Sequence, residues 1–491
     1  METASNSVNL ALEKSQEAFS AYRKLSPTQR KDILYAIADA LEDAANSLVS
    51  IAQKETHLPK PRLEGELKRT SYQLRTYSNF LASGLALDIR INPGSTTNEP
   101  PIPALAKMNV ALGPVAVFGS GNFPFAYSTA GGDTACALAA GCTVIVKAHP
   151  AHIETGRAVS EIIRKCISNF NLPDATFQQI EGGFDTGEAL VKHPLLKAVG
   201  FTGSLKGGRQ LFDWGNSREI PIPVFAEMGS VNPVFLLPES LSKEFYGIAE
   251  KLSVSIMQDA GQFCTKPGIL VAIASEGLEK FKKAIIPLIQ KGVPQKMLHE
   301  GIFENFERNK SNALTQRGVG RLSYSQTDVS ELEAEIIMAE TSATFFLSHP
   351  DLQDEVFGPY SLLVVCQNEK EMKLVARNLE GQLTTSVFGT SIDLNTAASL
   401  LDILKEKCGR TILNGVPTGV RVATSMQHGG PYPACTDSRF SSVGADGIRR
   451  FMRPVCFQNW PDELLPPELQ KANPLKLWRL VDEIWVKPDI K

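Results

Sequence analysis

Between residues 110 and 227, short apolar runs alternate with stretches of helical periodicity, and this alternation limits the fold more than any other feature of the sequence. Strands are expected over 110–119, 142–148, 177–180, 197–202 and 223–227. Between them the spacing predicts a small-residue helix over 126–140 closed by Gly141, an amphipathic helix over 154–170, and a helix opened by Ser204. Strands alternating with helices predict a parallel, doubly wound sheet, which binds ligands in the crevice beyond the carboxyl ends of its strands. Each turn that follows a strand is therefore a candidate site. The alternation restarts after Gly229, with strands expected at 234–237, 269–273, 362–365 and 386–388.

Residues 8–55 read as helices, with Ser26 placed to cap a helix whose first residue is Pro27. Four prolines between 92 and 103 mark a break, residues 448–458 read as a strand, and the Pro-rich stretch 459–467 as a wrapping arm. A chain of 491 residues has room for several domains and for a large core without staples. With 43% hydrophobic and 21% charged residues it is an ordinary globular composition, which excludes a disordered, collagen-like or coiled-coil chain. The net charge of −3 gives no electrostatic reason for a nucleic-acid or anionic-membrane partner. The eight cysteines form no CxxC pair and the seven histidines no HExxH, so neither a disulfide scaffold nor a metal site is expected. Residues 1–14 lack the pattern of a signal peptide and no apolar run is long enough to span a membrane, so a cytoplasmic location is expected.

Several residues could carry chemistry. Cys264 lies on the Gly-flanked turn GQFCTKPG, and is either a small buried hydrophobe or a nucleophile with Lys266 near enough to favour its thiolate. Glu227 ends an apolar run, where desolvation would raise its pKa and suit it to general-base work; an edge glutamate facing water is the alternative. Asn122, on the strand-to-helix turn GSGNFPF, is an ordinary turn residue or an oxyanion donor. Gly203 and Ser204 form either a plain strand–helix loop or a phosphate-binding helix start. Lys147 ends a buried strand, where it contacts a ribose or phosphate or simply reaches for water. Gly119-x-Gly121 lacks the third glycine of a dinucleotide fingerprint.

Taken together, the segments GPVAVFGSGNFPF, VIVKAHP, FTGS, EMGSVNP, GQFCTKPG and EVFGP resemble, in order and spacing, the aldehyde dehydrogenase superfamily over residues 10–460. SGNFPFAYS, AEMGSVNP and the block GVPTGVRV…MQHGGPYPA…RRFMRPVCFQNWP are most similar to the α-ketoglutarate semialdehyde (2,5-dioxovalerate) dehydrogenases and related bacterial long-chain aldehyde dehydrogenases.

The resemblance implies an α/β fold with a Rossmann-type cofactor domain over 1–228, interrupted by an oligomerisation flap at about 92–107. It also implies a catalytic domain over 229–430 and a return segment with oligomerisation strand and arm over 431–491. Cys264 would be the nucleophile, Asn122 an oxyanion donor with the Cys264 N–H, and Glu227 the base for the deacylating water. Lys147, Gly203, Ser204, Glu355 and Phe357 would bind NADP or NAD. Pro150, where NAD-preferring members often carry a glutamate, removes a repulsion against a 2′-phosphate, and Lys147 with His149 or His152 would favour NADP. Ser120, Phe123 and Phe263 would line the substrate site. Arg321, Lys266, Arg421 and Ser120 are the candidates to anchor a substrate carboxylate. The implied reaction is oxidation of a small aldehyde to the free acid through a cysteine thioester, with α-ketoglutarate semialdehyde as first substrate and long-chain aldehydes as second, in a homodimer or homotetramer. The rivals are a cysteine hydrolase, which no histidine in a recognisable dyad motif supports, and a non-catalytic homologue, which the presence of both Cys264 and Glu227 disfavours.

Overall fold

The computed structural model describes residues 2–95 and 97–487. Four helices open the chain: Glu2–Tyr22, Pro27–Asp43, Ala45–Thr56 and Lys60–Ala82. Ser26 caps the second of them. Its Oγ accepts the Gln29 N–H at 3.2 Å, and the Gln29 side chain accepts the Ser26 N–H at 2.9 Å, closing a capping box.

The first sheet has five parallel strands, in the order Phe177–Ile180, Val144–Lys147, Val115–Phe118, Ala198–Thr202, Val224–Glu227. Their register brings Phe118 beside Lys147 and Phe201, and Thr202 beside Glu227, along one carboxyl edge. Two expectations change here. The single strand over 110–119 is two: Leu105–Ala111 belongs to another sheet, and the turn at 112–114 separates it from Val115–Phe118. The helix expected from 126 begins at Gly132, because Ala126 to Gly131 fold as turns in which Gly131 N–H meets the Ser128 carbonyl. A glycine pair resists earlier helix propagation.

The second sheet has seven strands, in the order Val319–Tyr324, Ile337–Ser342, Tyr360–Cys366, Ile269–Ile273, Val234–Leu236, Gln382–Phe388, Cys408–Leu413. All are parallel except the edge strand Val319–Tyr324. Its central strands Val234–Leu236 and Gln382–Phe388 are buried throughout, and Ile269–Ile273 is buried but for its last residue, as a sheet covered by helices on both faces requires.

The third sheet joins distant parts of the chain, in the order Met452–Gln458, Leu105–Ala111, Arg90–Asn92, Arg479–Val481, Ile484–Val486. The tail read as an arm thus returns to its own chain, where Arg479–Val481 runs parallel to Arg90–Asn92. Thr96, inside the expected flap, lies outside the described residues. No described helix is long and apolar enough to cross a membrane.

Candidate active site

Cys264 follows a short 3-10 turn, Gln258–Gly261, that leaves the helix Pro238–Met257. Gly261 has φ +63°, and a Cβ there would stand 2.4 Å from the Gly358 carbonyl oxygen, so the turn closes only with glycine. Asn232 fixes the far side: its Nδ2 donates to the carbonyls of Cys264 at 2.8 Å and Lys266 at 3.1 Å. Asn122 holds the near side, donating to the Gln262 carbonyl at 3.0 Å. Asn122 therefore stands against the Cys264 turn, with the second N–H of its amide uncommitted among the described residues.

Glu227 ends the last strand of the first sheet and is 2% exposed. Its carbonyl accepts the Gly203 N–H at 3.0 Å, which ties the FTGS turn to it. The return segment is stitched alongside: Met228 N–H meets the Ala434 carbonyl at 2.8 Å and Thr436 N–H the Ala226 carbonyl at 3.1 Å. That stitching delivers His428, fully buried, to the centre of the site. Its Nε2 lies 3.6 Å from Cys264 Sγ and 3.0 Å from Glu227 Oε1. Ser442 Oγ donates to Glu227 Oε2. The sequence shows no dyad motif, yet the fold makes a Cys–His–Glu group. The signal was the histidine of MQHGGPYPA, which carries no spacing relation to Cys264.

The electrostatics correct one expectation. Burial does push the Glu227 carboxyl up, but the charge and hydrogen bond of His428, with those of Ser442 and Cys264, outweigh it and hold Glu227 below the usual carboxylate range. Desolvation and then the Glu227 carboxylate push the Cys264 thiol well above its usual range. The resting pair is a thiol and a carboxylate. The Cys264, His428 and Glu227 ligand atoms lie within 4.8 Å of one another.

Lys266 does not serve the thiolate or a substrate. It is 2% exposed, and its Nζ donates to the carbonyls of Tyr360 at 2.6 Å and Val356 at 3.1 Å. It pins the loop carrying Glu355 and Phe357 to the Cys264 turn. Burial pulls Lys266 down to about 8 and pushes Glu355 up to about 7. A Cβ on Gly229 would lie 2.6 Å from Glu355 Oε2, so that carboxyl lies over the glycine turn after Glu227.

The edge of the first sheet fits a dinucleotide. Lys147 is half-buried at a strand end, with burial lowering its pKa. Ser204 caps the helix Leu205–Asn216 through Gly207 N–H at 3.2 Å, leaving the first amides of that helix beside Gly203. His149 supplies no cation. His149 stacks on His152 at 5.1 Å and is pulled down to about 3 by burial and neighbouring charge. His152 is buried, its Nε2 3.0 Å from the Ser120 carbonyl.

A cavity of about 410 Å³ opens beside Cys264. Phe123 and Phe263 line it, edge-on to each other at 5.7 Å, whereas Ser120 is buried away from it. None of the expected carboxylate anchors reaches it. Arg321 is on the edge strand near Glu335 and Arg421 is exposed. The cations in its wall are Arg62 and Arg69, with Glu66, from one face of the helix Lys60–Ala82. Their spacing of four and three residues was the sequence signal.

Comparison with known proteins gives the family. The model of the aldehyde dehydrogenase family matches residues 1–453. An alpha-ketoglutaric semialdehyde dehydrogenase of Acinetobacter baylyi is 41% identical over 97% of this chain and 91% of its own length. Alpha-ketoglutaric semialdehyde dehydrogenase 2 of Azospirillum brasilense is 42% identical over the same shares. Among solved structures, betaine aldehyde dehydrogenase from Staphylococcus aureus in complex with NAD+ superposes with a TM-score of 0.78 at 17% identity, covering 92% of this chain and 88% of that one. The chain belongs to the aldehyde dehydrogenase family, as an NAD(P)-dependent enzyme that oxidises aldehydes.

Proposed function

We propose that the chain oxidises α-ketoglutarate semialdehyde to α-ketoglutarate, with Cys264 as nucleophile and Glu227 as base. The observation that carries the chemistry is the approach of His428 Nε2 to both Cys264 Sγ and Glu227 Oε1. The substrate comes from the two relatives similar over nearly the whole chain.

The Glu227–His428 pair takes up the thiol proton as Sγ attacks the aldehyde carbon. The oxyanion so formed is held by the Asn122 amide and the Cys264 N–H. Lys147, Gly203, Ser204, Glu355 and Phe357 would hold the dinucleotide, which when bound would supply the acceptor for the hydride. A thioester on Cys264 is left. Once that proton has left to solvent, Glu227 removes a proton from water as it attacks the thioester, the acid is released as its carboxylate, and the Glu227–His428 pair returns the proton to the Cys264 thiolate.

The reading of NADP over NAD rests on Lys147 and on Pro150, which places no acid near a 2′-phosphate. The reading of a cytoplasmic homodimer or homotetramer rests on the resemblance and on Met452–Gln458, a strand paired on one side only. Initial rates of NADPH and NADH formation with α-ketoglutarate semialdehyde, glutaraldehyde and decanal test the proposal. A strong preference for the keto-semialdehyde is expected. A preference for decanal overturns it in favour of long-chain aldehyde oxidation.

A further inference from the structure

The cavity beside Cys264 is charged unevenly. Arg62 is compensated twice, by Glu66 Oε2 at 2.6 Å and Asp259 Oδ2 at 3.0 Å. Glu66 has nothing left to offer, because its Oε1 accepts the Phe125 and Ala126 N–H groups, both at 2.8 Å. Arg69, one turn further along the same helix, has no carboxylate within ion-pair distance among the described residues. Its Nη2 donates to the Tyr127 hydroxyl at 3.1 Å, and its guanidinium lies 5.1 Å from the centre of the Tyr127 ring. The Tyr127 hydroxyl accepts that N–H and keeps its own proton without an acceptor among the described residues.

Arg410 adds to the imbalance. It donates to the carbonyls of Pro417 at 2.8 Å and Gly419 at 3.2 Å and also meets no acid among the described residues. Gly419 itself lines the cavity. A partly buried guanidinium without a counter-ion is costly to hold, and the cost is offset when a ligand supplies the charge.

We propose that Arg69 and the Tyr127 O–H are the anchor for a substrate carboxylate, so that the site selects aldehydes carrying an acid at the end remote from the reacting carbon. Arg69 offers charge-assisted N–H donors and Tyr127 a neutral donor beside it, a pair suited to a carboxylate with an adjacent keto oxygen. Phe123 and Phe263 cover the methylenes between the two ends. The proposal rests on the substrate reading above and names the residues that enforce it. Aldehydes without the acid lose this contact and leave the Arg69 charge unanswered, which is the stronger source of selectivity.

The test compares kcat/KM for α-ketoglutarate semialdehyde and for pentanal in the wild type, Arg69→Met, Arg69→Lys and Tyr127→Phe. Binding of the product α-ketoglutarate is followed by calorimetry, independently of turnover. In Arg69→Met the ratio of the two kcat/KM values and the product affinity both fall about 10- to 100-fold, the loss appearing in KM, with partial rescue in Arg69→Lys. A ratio and affinity that stay within about twofold of wild type overturn the anchor while leaving the substrate reading intact. A wild type that favours pentanal overturns the substrate reading itself, and the anchor with it. If Arg69→Met does not fold, Arg69→Lys and Tyr127→Phe carry the same comparison.

Discussion

Ser442 touches neither the cavity nor the nucleophile, yet it controls when Glu227 can act. Its hydroxyl donates to Glu227 Oε2, both side chains being buried. A hydrogen bond to a charged group contributes about 1.5–3 kcal/mol. Since one pKa unit corresponds to about 1.4 kcal/mol, Ser442→Ala should raise the Glu227 pKa by about 1–2 units. The sign follows from the structure: Glu227 is held below its ordinary range by its partners, so removing one moves it upward. The acid limb of deacylation then moves to higher pH by the same amount, because the base form is lost sooner as pH falls. The same substitution removes stability that is present above the unfolded carboxylate pKa and disappears on acidification. The assay is single-turnover release of acid from preformed acyl-enzyme across the pH range in which the limb falls. A limb displaced by less than about 0.3 unit, with acylation unchanged, would show that Ser442 does not set the basicity of Glu227.

Cys264→Ala should abolish dehydrogenase turnover and leave cofactor binding intact, so measurable turnover would end the nucleophile assignment. Glu227→Gln should keep a rapid-mix burst of reduced cofactor and slow the steady rate; no burst and an unchanged steady rate contradict the base role. His428→Asn should slow the burst itself, by the factor of about 10²–10⁴ typical of a lost proton carrier, and a burst of wild-type speed removes it from acylation. Lys266→Met should differ from wild type in a pH-dependent way. The native amine titrates at about 8 rather than 10.5, so wild-type stability relative to the variant rises from about pH 8 upward. Urea unfolding at neutral pH and near the upper end of that window checks it, and a constant difference refutes it.

Local chemistry made parts of the fold legible. Ser26 before Pro27 announced a helix start, and the apolar runs ending at Lys147 and Glu227 announced buried parallel strands. The edge strands Val319–Tyr324 and Cys408–Leu413 were not legible, because half of each faces away from the core and the apolar run is broken. The site divides in the same way. Cys264 and Glu227 stood out through their own neighbours in sequence. The direction of the Glu227 pKa shift did not, because the group that decides it, His428, arrives from two hundred residues further on. Arg62, Glu66 and Arg69 were hidden by the ordinary look of a charged helix; Glu66 is buried beside the apolar Leu63 and Leu67, with Arg62 and Arg69 half-buried next to them.

The third sheet sets the order in which the molecule can be completed during synthesis. Leu105–Ala111 waits for Met452–Gln458, and Arg90–Asn92 for Arg479–Val481. At ribosomal speeds these edges stay unpaired for roughly 20–70 s after they emerge, open to any other extended segment. Glu227 likewise has neither His428 nor Ser442 until the same late stretch appears. A nascent chain released early therefore carries the Cys264 turn without His428 and presents two unpaired strand edges. The third sheet and the Cys264–His428–Glu227 group are completed together.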